Sequence, residues 1–114
     1  ILEYRKAKKE SKTHSPILFN KLASTYIQTR KYNEAELILK ESLEYYPDFH
    51  TTLSNLGELY FISKRYDAAQ KYLEKAVRIN PFNPFIHTRL IDLYDRMKMP
   101  KNKKLQTKLF SFID

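Results

Sequence analysis

HTTLSNLGELYFISKRYDAAQKYLEKAVRINPFN, residues 50–83, is the stretch whose reading decides the fold. Leu53, Leu56, Gly57 and Tyr60, and then Ala69, Leu73, Ala76 and Val77, recur three or four residues apart, the spacing of one buried helix face. Moving the sequence by 34 residues lays 16–49, PILFNKLASTYIQTRKYNEAELILKESLEYYPDF, over the same stretch with six identical pairs. They are Leu22/Leu56, Tyr26/Tyr60, Tyr32/Tyr66, Ala35/Ala69, Leu39/Leu73 and Pro47/Pro81. A period of this length belongs to stacked arrays in which each unit is one small helical motif.

Each unit reads as two helices. Pro16 suits the start of the first, and Phe19, Leu22, Ala23, Tyr26 and Ile27 lie along one side of it. A break follows around Arg30-Lys31. Asn33, and Asp67 in the second unit, are expected as N-caps of the second helices, with Glu34 and Glu36 near the positive helix end. Ala35, Leu39, Ser42 and Leu43 form the buried stripe, and Pro47 stops the helix. Ala23 or Gly57, facing Ala35 or Ala69, is expected to let the paired helices approach closely; larger residues there would cost about 1–3 kcal/mol.

The patterns Leu53-x-x-Leu56-Gly57-x-x-Tyr60, Ala69-x-x-x-Leu73, Pro81 and Phe19-x-x-Leu22-Ala23-x-x-Tyr26, Ala35-x-x-x-Leu39, Pro47 resemble the tetratricopeptide repeat signature. Phe19 and Leu53 stand where the family often has Trp, and Ala23 stands for Gly. The resemblance implies an all-α fold, a short right-handed solenoid of stacked antiparallel helix hairpins, with repeats at 16–49 and 50–83. A third unit, 84–114, keeps His87-x-x-Leu90-Ile91-x-x-Tyr94 but then departs, with Pro100, Lys103 and Thr107 in place of the aromatic, the small residue and Leu. Leu105, Leu109, Phe110 and Ile113 are expected to form a degenerate closing helix; the other reading is a longer array that continues. Residues 1–15 match no part of the repeat and read as a basic extension, either the tail of a preceding repeat or a linker helix.

Composition excludes several classes. At 42% apolar and 30% charged the chain is neither disordered nor membrane-spanning, and one Gly is too few for an all-β fold. Without Cys it has no disulfide framework. His14, His50 and His87 are isolated, and no zinc spacing or phosphate-binding Gly loop occurs, so no enzyme, cofactor or metal is expected. The net charge of +8 gathers in 1–15 and 84–114, while 16–83 is nearly balanced. Nucleic-acid or anionic-surface binding through Lys98, Lys101, Lys103, Lys104 and Lys108 is therefore a minor alternative to a solvated, solubilising end.

The resemblance implies that first helices line a concave face and receive a protein or peptide partner. Equivalent positions then stack in rows: Lys21, Asn55, Arg89; Asn20, Ser54, Thr88; Ser24, Glu58, Asp92; Ile17, Thr51, Phe85. Lys21, Asn55 and Arg89 are the expected polar anchors. Asn55 and Arg89 match a carboxylate clamp found in some co-chaperones of the family, but Asn20, Ser24 and Phe85 replace its remaining members. Ile27, Phe61 and Ile62 are the expected exposed apolar floor. The alternative is self-association through the end helices, giving a homo-oligomer.

Overall fold

Three times along the chain a non-glycine residue takes a left-handed backbone: Arg30 at φ 61°, Lys64 at φ 62° and Lys98 at φ 57°. They lie 34 residues apart, and each turns one helix back on the next. The computed structural model describes residues 15–113. Among these are six helices: α1 (Pro16–Gln28), α2 (Tyr32–Tyr45), α3 (His50–Ile62), α4 (Tyr66–Ile79), α5 (Pro84–Arg96) and α6 (Pro100–Ser111). They pair as hairpins α1·α2, α3·α4 and α5·α6.

The turns share one hydrogen-bond scheme. Lys31, Arg65 and Met99 donate their amides to the carbonyls of Tyr26, Tyr60 and Tyr94 at 2.7, 2.8 and 2.9 Å. The left-handed residues Arg30, Lys64 and Lys98 donate to Ile27, Phe61 and Asp95. This is a Schellman motif, which satisfies the last carbonyls of the first helix. It leaves room for only one residue before the second helix begins, which corrects the expected caps. Lys31 and Arg65 are the N-caps and have no side-chain cap bond, while Asn33 and Asp67 already sit in the first turn. Glu34 and Asp67 still place negative charge at the positive helix end.

Within each hairpin, Phe19, Ala23 and Tyr26 face Ala35, Ile38, Leu39 and Ser42; Leu53, Leu56, Gly57 and Tyr60 face Ala69, Leu73 and Ala76. The expected close approach at Gly57 is present, but its opposite number is Leu73. A Cβ built on Gly57 would lie 2.4 Å from Leu73 Cγ. The first helices α1, α3 and α5 also touch one another directly, whereas α2, α4 and α6 do not. The first helices therefore occupy the inner side of the stack.

Hairpins are joined by apolar burial and by a polar seam. Leu56, Leu59, Leu90 and Leu93 are completely buried. Tyr60 donates its hydroxyl to Glu36 Oε2 of the preceding hairpin, and Tyr94 donates to Glu74 Oε2, both at 2.5 Å. Burial, and then the bond to Glu36, pushes the Tyr60 hydroxyl up to about 12. Burial also pushes the Glu36 carboxyl up, but the hydrogen bonds from Tyr60, Arg65 and Lys40 outweigh it and hold the group below its ordinary 4.5.

The third hairpin departs from expectation in the face its closing helix presents. Leu105 and Leu109 point outward, 59% and 44% exposed, and Gln106 is the buried residue, with Phe110 and Ile113 half-buried. Gln106 Nε2 donates to His87 Nδ1 at 2.6 Å, His87 Nε2 donates to the Pro81 carbonyl at 2.6 Å, and the imidazole stacks on Phe110 at 5.7 Å. Lys103, at the position of the small Ala35 and Ala69, bridges to Asp95 at 2.9 Å. Of the expected basic extension at 1–15, residues 1–14 lie outside the described residues.

Two outcomes are expected from the turns and the seam. Lys64→Gly removes the Cβ from a left-handed residue and raises stability by about 1 kcal/mol, read as a higher urea midpoint, while Lys64→Val lowers it. A carboxyl held below its unfolded value adds stability above that value and loses it as pH falls through the folded one. The deficit of Glu36→Gln relative to the native chain is therefore full near neutrality and shrinks as the pH falls below the ordinary carboxylate range. A deficit independent of pH would remove Glu36 from the seam.

Candidate functional site

The inner face is built by three parallel first helices, and the structure separates the expected site residues into distinct roles. Lys21 on α1 is exposed, with no ion-pair partner among the described residues. Asn55 on α3 is half-buried and donates Nδ2 to Asn20 Oδ1 at 2.8 Å. Asn20 in turn donates to Thr52 Oγ1 at 2.9 Å and to the Pro16 carbonyl at 2.7 Å. Asn20 and Ser54, expected on the open face, are buried. Asn20 ties the first two hairpins together through Thr52 and Asn55, while Ser54 donates to the Thr51 carbonyl of its own helix.

Arg89 on α5 is the centre of the site. Its Nη2 meets Glu58 Oε2 at 2.7 Å and its Nη1 meets Asp92 Oδ2 at 3.7 Å. The guanidinium lies over two aromatic rings, 4.6 Å from the centroid of Phe61 and 5.5 Å from that of Phe85. Arg96 stacks on Phe61 as well, at 5.1 Å, and reaches Asp92 Oδ1 at 3.5 Å. Planar guanidinium groups suit this position because they can pair with carboxylates at the edge and stack on rings through the face.

This arrangement corrects the expected apolar floor. Phe61 is only 9% exposed, because the two arginines cover it, and Ile27 packs half-buried against the core. Ile62, 41% exposed, is the member of the expected strip that meets solvent. Glu58, Phe61 and Ile62 of α3, Lys64 of the turn, Tyr66 of α4, and Arg89 with Arg96 of α5 line a cavity of ≈ 260 Å³. Lys64 and Tyr66 were not legible as site residues, since one sits in the hairpin turn and the other opens a second helix. The neighbours of Arg89 are foreshadowed by offset: Glu58 precedes it by 31 residues, one repeat less one helical turn.

The lining carries more positive than negative charge, Lys64, Arg89 and Arg96 against Glu58, with Asp92 beside the arginines, and enclosing these groups carries a cost. Glu58 Oε1 and Arg89 Nε are buried without a hydrogen-bond partner among the described residues, each worth about 1–3 kcal/mol in lost solvation. Among the described residues no cluster of His, Asp or Glu is arranged to hold a metal ion. No helix there is long and apolar enough to cross a membrane.

Two family profiles described as tetratricopeptide repeat match the chain, one over residues 50–83 and the other over 18–49. The chain belongs to the tetratricopeptide repeat family. The repeat is in general a protein-interaction module, and that level of function comes with the family. Among solved structures the tetratricopeptide fold here is similar to PilF of Pseudomonas aeruginosa, with TM-score 0.83 and 25% identity over 98% of this chain and 51% of that one. It is also similar to MamA of AMB-1, with TM-score 0.75 and 23% identity over 84% of this chain and 56% of MamA. A point mutant of MamA gives TM-score 0.76 and 23% identity over 85% and 71%. The chain thus spans only about half the length of several of these relatives. No curated protein sequence matches it significantly.

Arg89→Met strands Glu58 in a half-buried setting, so its cost is expected to fall when Glu58→Gln is introduced first. A double-mutant cycle by urea denaturation should return a coupling of roughly 1–3 kcal/mol. Additive effects would mean that the pair does not organise the site.

Proposed function

We propose that the concave face receives a peptide segment of a partner protein, seated over the cavity between α3 and α5. The observation that supports this reading is the meeting of an apolar rim with cationic groups around one opening. Ile62 exposes apolar surface at 41% beside Arg96 and Lys64 in the cavity lining, and Phe85, 42% exposed, lies under the Arg89 guanidinium at 5.5 Å. Such a combination suits a segment carrying an apolar side chain next to a carboxylate or carboxamide. Lys21 and Asn55 extend the polar track along α1 and α3, and Asn55 has a carbonyl oxygen left for a backbone amide after donating to Asn20. Arg89 orders the site by stacking and pairing. The carboxylates of the face, Glu58 and Asp92, are both engaged by Arg89, which favours binding over acid–base catalysis.

Peptides selected by the native chain from a random displayed library are expected to lose at least about tenfold in affinity for Ile62→Asp combined with Arg96→Glu. Both side chains are exposed, so the variant should keep its helical circular dichroism. Selected peptides that bind the native and variant chains equally would rule out this face.

A further inference from the structure

The open flank of α6 is charge-inverted relative to the flanks that α2 and α4 use to hold the next hairpin, and we infer that it is a docking surface for an acidic helical segment of another protein. The comparison rests on equivalent positions. In the first hairpin Glu36 accepts the Tyr60 hydroxyl and is paired with Lys40 one turn on, at 3.3 Å. In the second, Glu74 accepts the Tyr94 hydroxyl and receives Gln70 Nε2 from one turn before, at 3.0 Å. The same two positions of the third hairpin, 68 residues after Glu36 and 34 after Glu74, are Lys104 and Lys108. Each internal flank therefore offers one oriented carboxylate to its neighbour, and the α6 flank offers two ammonium groups.

The steric character of the flank changes with its charge. Leu39 and Leu73, completely buried, correspond to Thr107, and Leu43 and Val77 correspond to Ser111. Pro100, Thr107 and Ser111 floor a shallow trough, walled by Lys103, Lys104 and Lys108, with a volume of ≈ 480 Å³. Small residues between long aliphatic stems let a helix approach closely, and the stems supply apolar contact while their heads stay at the rim. Lys103 is taken by Asp95. Neither Lys104 nor Lys108 has an ion-pair partner among the described residues, and α6 itself contains no acidic residue.

Charge also chooses among occupants. A further hairpin of the same kind would bring its tyrosine hydroxyl against two ammonium groups with no carboxylate to accept it. A second copy packing through α1 would bring a helix whose thirteen residues include Lys21 and no acidic side chain. An amphipathic helix with carboxylates one turn apart supplies what both lack: each carboxylate meets one lysine, and its apolar side chains lie on the trough floor. This surface is separate from the concave face, so either proposal stands or falls alone.

The test uses the full 114-residue chain and a fluorescent helical peptide with Glu one turn apart beside Leu, together with its counterpart in which every Glu is Lys. Fluorescence anisotropy should show the acidic peptide bound and the basic one not. Lys104→Glu with Lys108→Glu should weaken the acidic peptide by about tenfold or more and create binding of the basic peptide. Lys104→Gln with Lys108→Gln, which removes the charge and keeps a polar side chain, should bind neither well. Acidic-peptide binding unchanged in both variants would overturn the proposal. So would a native chain that ignores the peptide yet binds phosphatidylserine vesicles through these lysines, or one that sediments as a dimer split by the charge reversal.

Discussion

Each hairpin has a flank of apolar side chains that it cannot bury alone, and the rest of the structure follows from how the next hairpin covers it. Leu56, Leu59, Leu90 and Leu93 lose all their exposed surface at these junctions, each contributing about 1.5–3 kcal/mol. Burial of this kind sets distance but not rotation, since leucine surfaces slide on one another. Rotation is fixed by directional bonds at the edges: Asn20 to Thr52 at one side, Tyr60 to Glu36 and Tyr94 to Glu74 at the other. Fixing the rotation aligns α1, α3 and α5, and that alignment brings Arg89 over Phe61 and against Glu58. The site is a by-product of the junction geometry.

Much of this was legible in the sequence because the repeat writes the same constraint more than once. Leu22/Leu56 and Ala35/Ala69 recur because each must meet an equivalent surface, so the hairpins and their stacking could be read directly. The helix starts could not. The reading placed the caps at Asn33 and Asp67 on side-chain chemistry, whereas the turn geometry starts each helix earlier with a bare backbone carbonyl. A left-handed residue is usually sought as Gly; here the signal was three basic residues one period apart, Arg30, Lys64 and Lys98.

The candidate site was legible in position and less so in exposure. Lys21, Asn55 and Arg89 do share one face, because equivalent positions on stacked helices must. Their bonding depends on contacts across the junction, which involve residues about one period away and no local pattern. Asn20 looks like a surface residue and is buried because Thr52 supplies its partner; Phe61 looks like a surface aromatic and is covered because two arginines reach it from α5. In α6 the expected helix is present, and its spacing does not show which side chains turn inward. His87 recruits Gln106, so the polar residue turns inward and Leu105 outward.

That last contact makes the stack mechanically uneven. The first two hairpins close on Leu39 and Leu73, packed from every side, while the third closes on a glutamine amide, an imidazole and a half-covered Phe110. Lys101 and Lys103 lie in the first turn of α6, where positive charge opposes the helix dipole. In a stacked array each unit leans only on its neighbours, and the concave face is lined by α3, α5 and the turn beside them. Substitutions in the closure of α6 on α5 therefore fall outside the residues that shape the groove.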